Sequence, residues 1–504
     1  MKTITRTARR LAPLLLSVGL VMAGTALSTA KELLTINLVN EPATLDPHQQ
    51  WNPDSYYVYR NIFDNMLTRD NAGEIVPQIA TSWDQVSDTE IVFDLRDDVV
   101  FHDGEKLTAE DVVYTVERIT NPDFASPQLG QFNKIIKAEA LGDYKVKLTT
   151  DGPYPASLAQ LVKLSIVPQH VASTMSSEEF NAAPVGSGPY KLSKWERGVE
   201  VVVEKNEAYW GDKGPFDTVA FRGVPDASTR MANLQAGAAD LVVTLNADLA
   251  QQLEASGRGK VLNVNTERVA YFAMNSTLPP LDNVELRRAI GYAIDREAIV
   301  EGLLGGFPEV VDQMLSPAHF GWKDGITGYA HDPEKAKEII AGLGDAAKAE
   351  MKLATSPVFD QRVVQAIQQM LTEVGLNASI ETVDMATWLK DQQTSNDQAP
   401  MLTFSRWSCA CQDPDGIMYP LLHSSSSWSR FADPEVDAML DEARSELDLE
   451  KRAALYARIN EIALEKAAIL PLYQAAILYG SSENLEWQPT SNESMFLNRM
   501  GWSE

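Results

Sequence analysis

Cysteine is almost absent: the 504-residue chain holds two, Cys409 and Cys411, with one residue between them. So low a count excludes a scaffold built on disulfides. Histidine is nearly as scarce, with six scattered residues (His48, His102, His170, His319, His331 and His423), no two of which stand four apart as a helical metal pair would. Enzyme signatures are missing too. The chain has no G-x-S-x-G, no G-x-x-x-x-G-K-[ST], no H-E-x-x-H and no G-x-G-x-x-G following a strand. Positive charge is in deficit, with 43 Lys and Arg against 70 Asp and Glu, a formal net charge of −27. That field repels nucleic acid and anionic lipid, so neither is an expected partner. Past residue 30 no stretch reaches the roughly 18 uninterrupted apolar residues of a transmembrane helix.

What is present begins with a leader. Lys2, Arg6, Arg9 and Arg10 precede an apolar run at residues 11–23, and Ser28, Thr29 and Ala30 supply small residues for cleavage. We read residues 1–30 as a signal peptide; Arg9-Arg10 raises a twin-arginine route, but its neighbours fit ordinary secretion better. Its removal takes the net charge from −27 to −31 and leaves a soluble periplasmic chain long enough for two or three domains.

Periodicity then sets out the elements. Thr108 to Asp111 form a capping box ahead of Val112, Val113, Val116 and Ile119, and Asp282 is expected to cap a helix carrying Leu286, Ala289, Ile290, Ala293 and Ile294. Asp433-Pro434 opens another helix with Val436, Met439, Leu440 and Ala443, and Leu455, Ile459, Ile462 and Ala463 mark the next. Strands are expected at 33–39, 91–95, 145–149 and 199–205, and residues 469–479 are long enough for two short ones. Residues 351–407 alternate strand (351–355), helix (361–374), strand (378–383), short helix near Trp388 and strand (401–407), the pattern of a mainly parallel sheet covered by helices.

One stretch concentrates chemistry. SRWSCACQDPDG (405–416) starts at the carboxyl end of a sheet strand, where open α/β sheets bind ligands. Cys409 and Cys411, with His423 beyond, lack the C-x₂₋₄-C spacing of zinc sites, so a disulfide or a pocket-shaping pair is preferred to a metal or redox centre. Asp413 and Asp415 invite an acid–base reading, yet D-P-D-G is also a turn in which Asp side chains bond the backbone and send the chain away. Trp407, Tyr419 and Trp428, with Trp388 upstream, suit an apolar pocket wall and equally a core. Arg406 and Trp407 alternate, so only one of them faces a given cleft.

The order of segments resembles the family 5 extracytoplasmic solute-binding proteins of ABC importers, the peptide, nickel and opine group. The matching stretches are NEPATLDPH (40–48), VPQIATSW (76–83), FDLRDDVVFHDGEKLTAEDVVYTVER (93–118), GSGPYKL (186–192), NEAYWG (206–211), MNSTLPPLDNVELRRAIGYAIDRE (274–297) and DPDGIMYPLLHS (413–424). The resemblance implies an α/β, two-lobed periplasmic-binding-protein fold of type II, with an extra subdomain in lobe I and two hinge crossings. Lobe I would take 31–266, with the subdomain near 71–180, and a C-terminal return at 483–504; lobe II would take 267–482. It implies capture of a peptide or other small polar solute by a monomer that delivers it to permease subunits in the inner membrane, with no cofactor, no metal and no catalysis. Presentation of the solute to a chemoreceptor is compatible with that role.

Ligand contacts are expected from Glu41, Trp51, Asn275, Trp388, Arg406, Trp407, Cys409, Ala410, Gln412, Asp413 and Tyr419. Dipeptide-binding members place an Asp three residues after the Trp and an Arg before a Pro in the preceding β–α turn; here those positions hold Ala410 and Ser356. A buried ammonium or carboxylate without a partner is costly, so a simple dipeptide fits poorly, and a longer peptide, a modified amino acid, an opine-like or sugar conjugate and a nickel chelate stay open. The competing reading from another class is a secreted hydrolase using Asp413 and Asp415.

Overall fold

The computed structural model describes residues 33–49, 52–409 and 411–503. The expected signal peptide, Trp51 and Ala410 therefore lie outside the described residues.

The strands that matter, in chain order, are β1 (Leu33–Leu38), β2 (Ala80–Ser87), β3 (Glu90–Leu95), β4 (Ile135–Gly142), β5 (Lys145–Thr150), β6 (Tyr190–Glu196), β7 (Glu200–Lys205), β8 (Thr218–Gly223), β9 (Leu241–Leu245), β10 (Lys260–Met274), β11 (Glu350–Thr355), β12 (Asn377–Thr382), β13 (Leu402–Trp407) and β14 (Ile469–Ser481). The helices are α1 (Pro53–Ile62), α2 (Ala109–Thr120), α3 (Val284–Ala293), α4 (Gln361–Glu373), α5 (Met385–Gln392), α6 (Asp415–Leu422), α7 (Pro434–Ser445) and α8 (Leu449–Glu465). One sheet runs the length of the fold in the order β12-β11-β13-β10-β14-β9-β1-β8-β7-β6. The strands of 351–407, from which a mainly parallel sheet was expected, do pair in parallel, but the sheet as a whole is mixed. β11 pairs parallel with β12 and β13, and β1 with β8 and β9, but β10 runs antiparallel to both β13 and β14 because these two long strands carry the chain back and forth along the sheet.

Residues 469–481 are one strand, not two, for the same reason. β14 follows β10 from Ala273↔Ile469 to Lys260↔Ser481, and its last residues also pair with β9. The ladder breaks between Asn265 and Val269, where three residues of β10 bulge away. Side chains replace the lost ladder bonds: Thr266 Oγ1 donates to the Ala475 carbonyl at 2.8 Å, and Gln474 Nε2 to the Thr266 carbonyl at 2.7 Å. The sheet thus stays continuous through this bulge, the larger of two register shifts between β10 and β14, and the strand is taken to bend there.

Cores form on either side of that bend. Ala270, Phe272 and Met274 point to a cluster with Ile290, Leu353, Ile367 and Phe404, whereas Val269 and Tyr271 join Ile417, Leu421, Leu440 and Ile459 on the opposite face, as the two-residue strand period requires. Beyond the bend a third cluster gathers β1, α1, β7 and Tyr479. The sheet β2-β3-β5-β4 packs Phe93, Val146 and Leu148 against Val112, Val116 and Ile119 of α2, whose capping box is formed as expected. Asp433 caps α7 as expected. At α3, however, the cap is Asn283 and not Asp282, its side chain taking the Glu285 N–H at 2.9 Å. The D-P-D-G turn also differs: instead of leading away it opens directly into α6 at Asp415.

Candidate functional site

β13 ends at the bend, because Trp407 pairs with Val269, the first regular residue after the bulge. The side chains alternate there. Trp407 turns to the α6 face, where its indole meets Trp428 edge-on at 5.2 Å and its Nε1 donates to the Gly416 carbonyl at 2.8 Å. Arg406 turns to the other face and is exposed, with no hydrogen bond or ion pair among the described residues. The surrounding protein, and next the Arg268 charge, hold its guanidinium below the usual arginine range. Glu493 and Asp360 act on it only at a distance, without a direct contact.

The next residues fold back onto α6. The sulfurs of Cys409 and Cys411 lie within bonding distance, and Gly416 gives them room: a Cβ there would stand 2.4 Å from Cys409 Sγ. Gln412 follows in the left-handed region, at φ 55°, a conformation that costs a side-chain-bearing residue about 1 kcal/mol. What it gains is reach across the bend. Gln412 Nε2 donates to Ser491 Oγ at 2.9 Å, in the C-terminal segment, which is docked on α1 through Ser494 and Met495. Arg69 donates to the Cys411 carbonyl.

Asp413 is spoken for. Its oxygens take Arg452 NH1 at 2.7 Å and NH2 at 2.6 Å, both side chains being buried, and Oδ1 also accepts the Asp415 N–H at 2.9 Å. The turn-forming role of Asp413 is therefore present, along with an ion pair that the sequence did not reveal. Asp415 lies 2.9 Å from Arg444 Nε, and burial pushes its carboxyl up to about 6. Tyr419 stacks on His423 at 4.3 Å, and the Arg444 guanidinium lies 3.8 Å from its centroid.

Three expected contacts are not brought to this edge. Glu41 accepts from Trp195 Nε1 at 2.8 Å and Gly198 N at 2.9 Å in the β6–β7 hairpin. Asn275 is fully buried, donating to the Asn396 carbonyl and accepting from Thr277 Oγ1. Trp388 is core, edge-on to Phe359 at 5.2 Å.

One residue unforeseen from sequence stands at the bend itself. Glu267 is 1% exposed; its Oε1 accepts Ser408 Oγ at 2.6 Å, and its Oε2 has no partner among the described residues. Burial first, then repulsion from Glu493, pushes this carboxyl up to about 7. Lys163 feels the Glu267 charge and is pulled down to about 7 by its own burial. The one sequence signal was a charged Thr-Glu-Arg interruption in an otherwise strand-like run; Lys163, Arg69 and Ser491 gave none. Among the described residues no group of three or more His, Cys, Asp and Glu could hold a metal, and no helix is long and apolar enough to cross a membrane.

Residues 74–429 match the model for bacterial extracellular solute-binding proteins, family 5, middle region. The chain is 30% identical over 468 residues to heme-binding protein A of Haemophilus influenzae, covering 86% of this chain and 84% of that one. It is 27% identical over 429 residues to the glutathione-binding protein GsiB of Pectobacterium atrosepticum, covering 82% and 83%. Among solved structures, the ABC transporter-associated periplasmic binding protein DppA of Helicobacter pylori, in complex with the peptide STSA, superposes with a TM-score of 0.80 at 25% identity over 94% of this chain and 98% of that one.

Proposed function

The chain belongs to family 5 of the bacterial extracellular solute-binding proteins and has their two-lobed periplasmic-binding-protein fold, and from that premise we propose which solute it takes and how. The ligand is a small, polar, peptide-like molecule with at least one carboxylate, enclosed where β13 and the 408–412 turn meet the C-terminal segment. It is delivered from the periplasm, by a monomer, to the permease subunits of an ABC importer. We place the hinge at the β10 bulge (266–268) and at residues 474–477 of β14, with lobe I and its 71–180 subdomain on one side and lobe II on the other.

The observation that carries this reading is the Gln412–Ser491 bond: the ligand-side turn of lobe II touches the far lobe across the hinge through a side chain kept in a costly backbone conformation. A solute touching both lobes adds to such contacts only when they close, so it shifts the population toward the closed form. Arg406, which makes no hydrogen bond or ion pair among the described residues, is the anion contact, with Gln412 and the bridged pair Cys409–Cys411 shaping the wall, while Trp407, on the opposite face, holds the Gly416 carbonyl beneath them. The hydrolase reading loses its carboxylate pair, since Asp413 is tied to Arg452.

Native mass spectrometry of the purified protein, followed by denaturation and identification of what is released, tests this. A polar, carboxylate-bearing molecule is expected, with affinity at least about tenfold weaker in Arg406→Ala. An apolar ligand, or one whose affinity ignores both Arg406→Ala and Gln412→Ala, overturns it.

A further inference from the structure

Glu267 is compensated only in part among the described residues: the Arg268 charge and the Ser408 hydroxyl favour its ionised form, but burial and Glu493 outweigh them. Without a cation this carboxyl keeps its proton up to about 7, and ionising it at such burial calls for donors on both oxygens, because an unpartnered buried charge costs several kcal/mol. Oε1 has Ser408; Oε2 has none among the described residues. The nearby cations are engaged elsewhere. Arg268 gives Nε and NH2 to Glu493, Lys163 Nζ donates to Gln131 Oε1, and Arg69 donates to the carbonyls of Gly73 and Cys411.

A second orphan stands with it. Gln412 Oε1 is buried without a donor, and Ser491 ties the two residues to one place: its carbonyl takes the Glu267 N–H at 3.0 Å and its hydroxyl takes Gln412 Nε2 at 2.9 Å. Two acceptors, one of them a carboxylate, thus lack donors on the wall where the lobes meet. The complementary group carries positive charge and several N–H bonds, which describes an ammonium, with three donors on one nitrogen. A guanidinium also carries charge, but its flat fork of five donors asks for more acceptors than these two orphans offer.

We propose that Glu267 Oε2, with Gln412 Oε1, seats a primary ammonium group of the transported solute, which makes the ligand class zwitterionic: an amine for Glu267 and a carboxylate for Arg406. This rests on the solute-binding reading above and deepens it. It also accounts for an uncharged residue at 410, since the acidic anchor comes from the hinge strand and not from the turn after Trp407.

The test uses the full mature protein, freed of bound solute by unfolding and refolding, and a casein peptide digest supplemented with glutathione as the probe. The probe is offered as it is and after exhaustive acetylation of its amines, and captured species are read by native mass spectrometry. We expect capture from the free-amine pool, at least about tenfold less from the acetylated pool, and a similar loss in Glu267→Gln with partial recovery in Glu267→Asp. Glu267→Gln keeps the shape and removes a buried charge, so circular dichroism should show it folded. Equal capture of acetylated species, equal capture by Glu267→Gln, or no capture from the free-amine pool each overturns the amine assignment. The solute-binding reading is judged separately, by what co-purifies with the unrefolded protein: a molecule without an amine sinks the ammonium seat and leaves that reading standing, whereas a protein that neither carries nor captures any small molecule sinks the reading itself.

Discussion

Replacing Arg452 by Met should destabilise the protein by about 3–5 kcal/mol, the cost of stranding one member of a buried ion pair. Arg452 is 1% exposed and holds Asp413 with two bonds of 2.6 and 2.7 Å, while its Nε satisfies the Ala443 carbonyl at 3.0 Å. Methionine fills much of the volume but supplies no donor. Asp413 would keep one neutral partner, the Asp415 N–H. Adding Asp413→Asn removes the stranded charge and keeps an acceptor for that N–H, so the double variant should recover most of the loss, leaving about 1 kcal/mol for the Ala443 carbonyl. Urea unfolding of solute-free protein, followed by tryptophan emission, measures it; solute must be absent because binding adds stability of its own. A single variant within about 1 kcal/mol of wild type, or a double variant no better than the single, would refute the claim that this pair fixes the 409–416 turn. If the claim holds, affinity falls in the single variant as well, since the turn carries Gln412 and the Cys411 carbonyl to the other lobe.

Gly416→Ala should destabilise the protein by about 1–3 kcal/mol, because the new methyl would meet Cys409 Sγ at 2.4 Å, Cys409 Cβ at 2.9 Å and Cys411 Sγ at 3.1 Å; thermal melting checks this, and Cys409→Ala added to it should recover only part of the loss, since it removes the 2.4 Å contact and leaves the other two. Glu267 and Lys163 should leave opposite marks on stability against pH. Glu267 keeps its proton in the folded state up to about 7 while the unfolded chain releases it near 4.5, so its contribution is full below 4.5 and lost as pH rises through 7. Lys163, neutral in the folded state above about 7 and charged in the unfolded chain up to 10.5, makes stability climb between those values. Urea midpoints from pH 5 to 9 should therefore lose their fall toward pH 7 in Glu267→Gln, a change of about 3 kcal/mol, and their later rise in Lys163→Met. Arg268 and Glu493 beside Glu267, and Arg69 beside Lys163, stay in place in both variants. Unchanged profiles would mean that neither group is desolvated at the hinge.

Local signals reached the helices and most strands of this chain because their causes are local. The stripe Leu286, Ala289, Ile290, Ala293 and Ile294 is buried to within 2% exposure, since no other arrangement hides all five. Where two side chains are chemically equivalent, as Asp282 and Asn283 are for capping, sequence has no means to choose; backbone position decides. The sheet's mixed direction and the unbroken run of β14 depend on pairings between segments some two hundred residues apart, which no window on the sequence contains. The same limit applies at the site. Position beyond a strand end located the 405–416 cluster, and alternation put Arg406 and Trp407 on opposite faces, but the partner that commits Asp413 lies 39 residues away on α8. Charges inside a strand are legible as anomalies, because a buried charge must be either paired or put to use. Glu267 and Arg268 are adjacent and pose that question together, and only the fold separates them: Arg268 spends its donors on Glu493, and Glu267 is left with an open oxygen. The difference between a structural ion pair and the ligand contact we propose is here one unsatisfied atom, Glu267 Oε2.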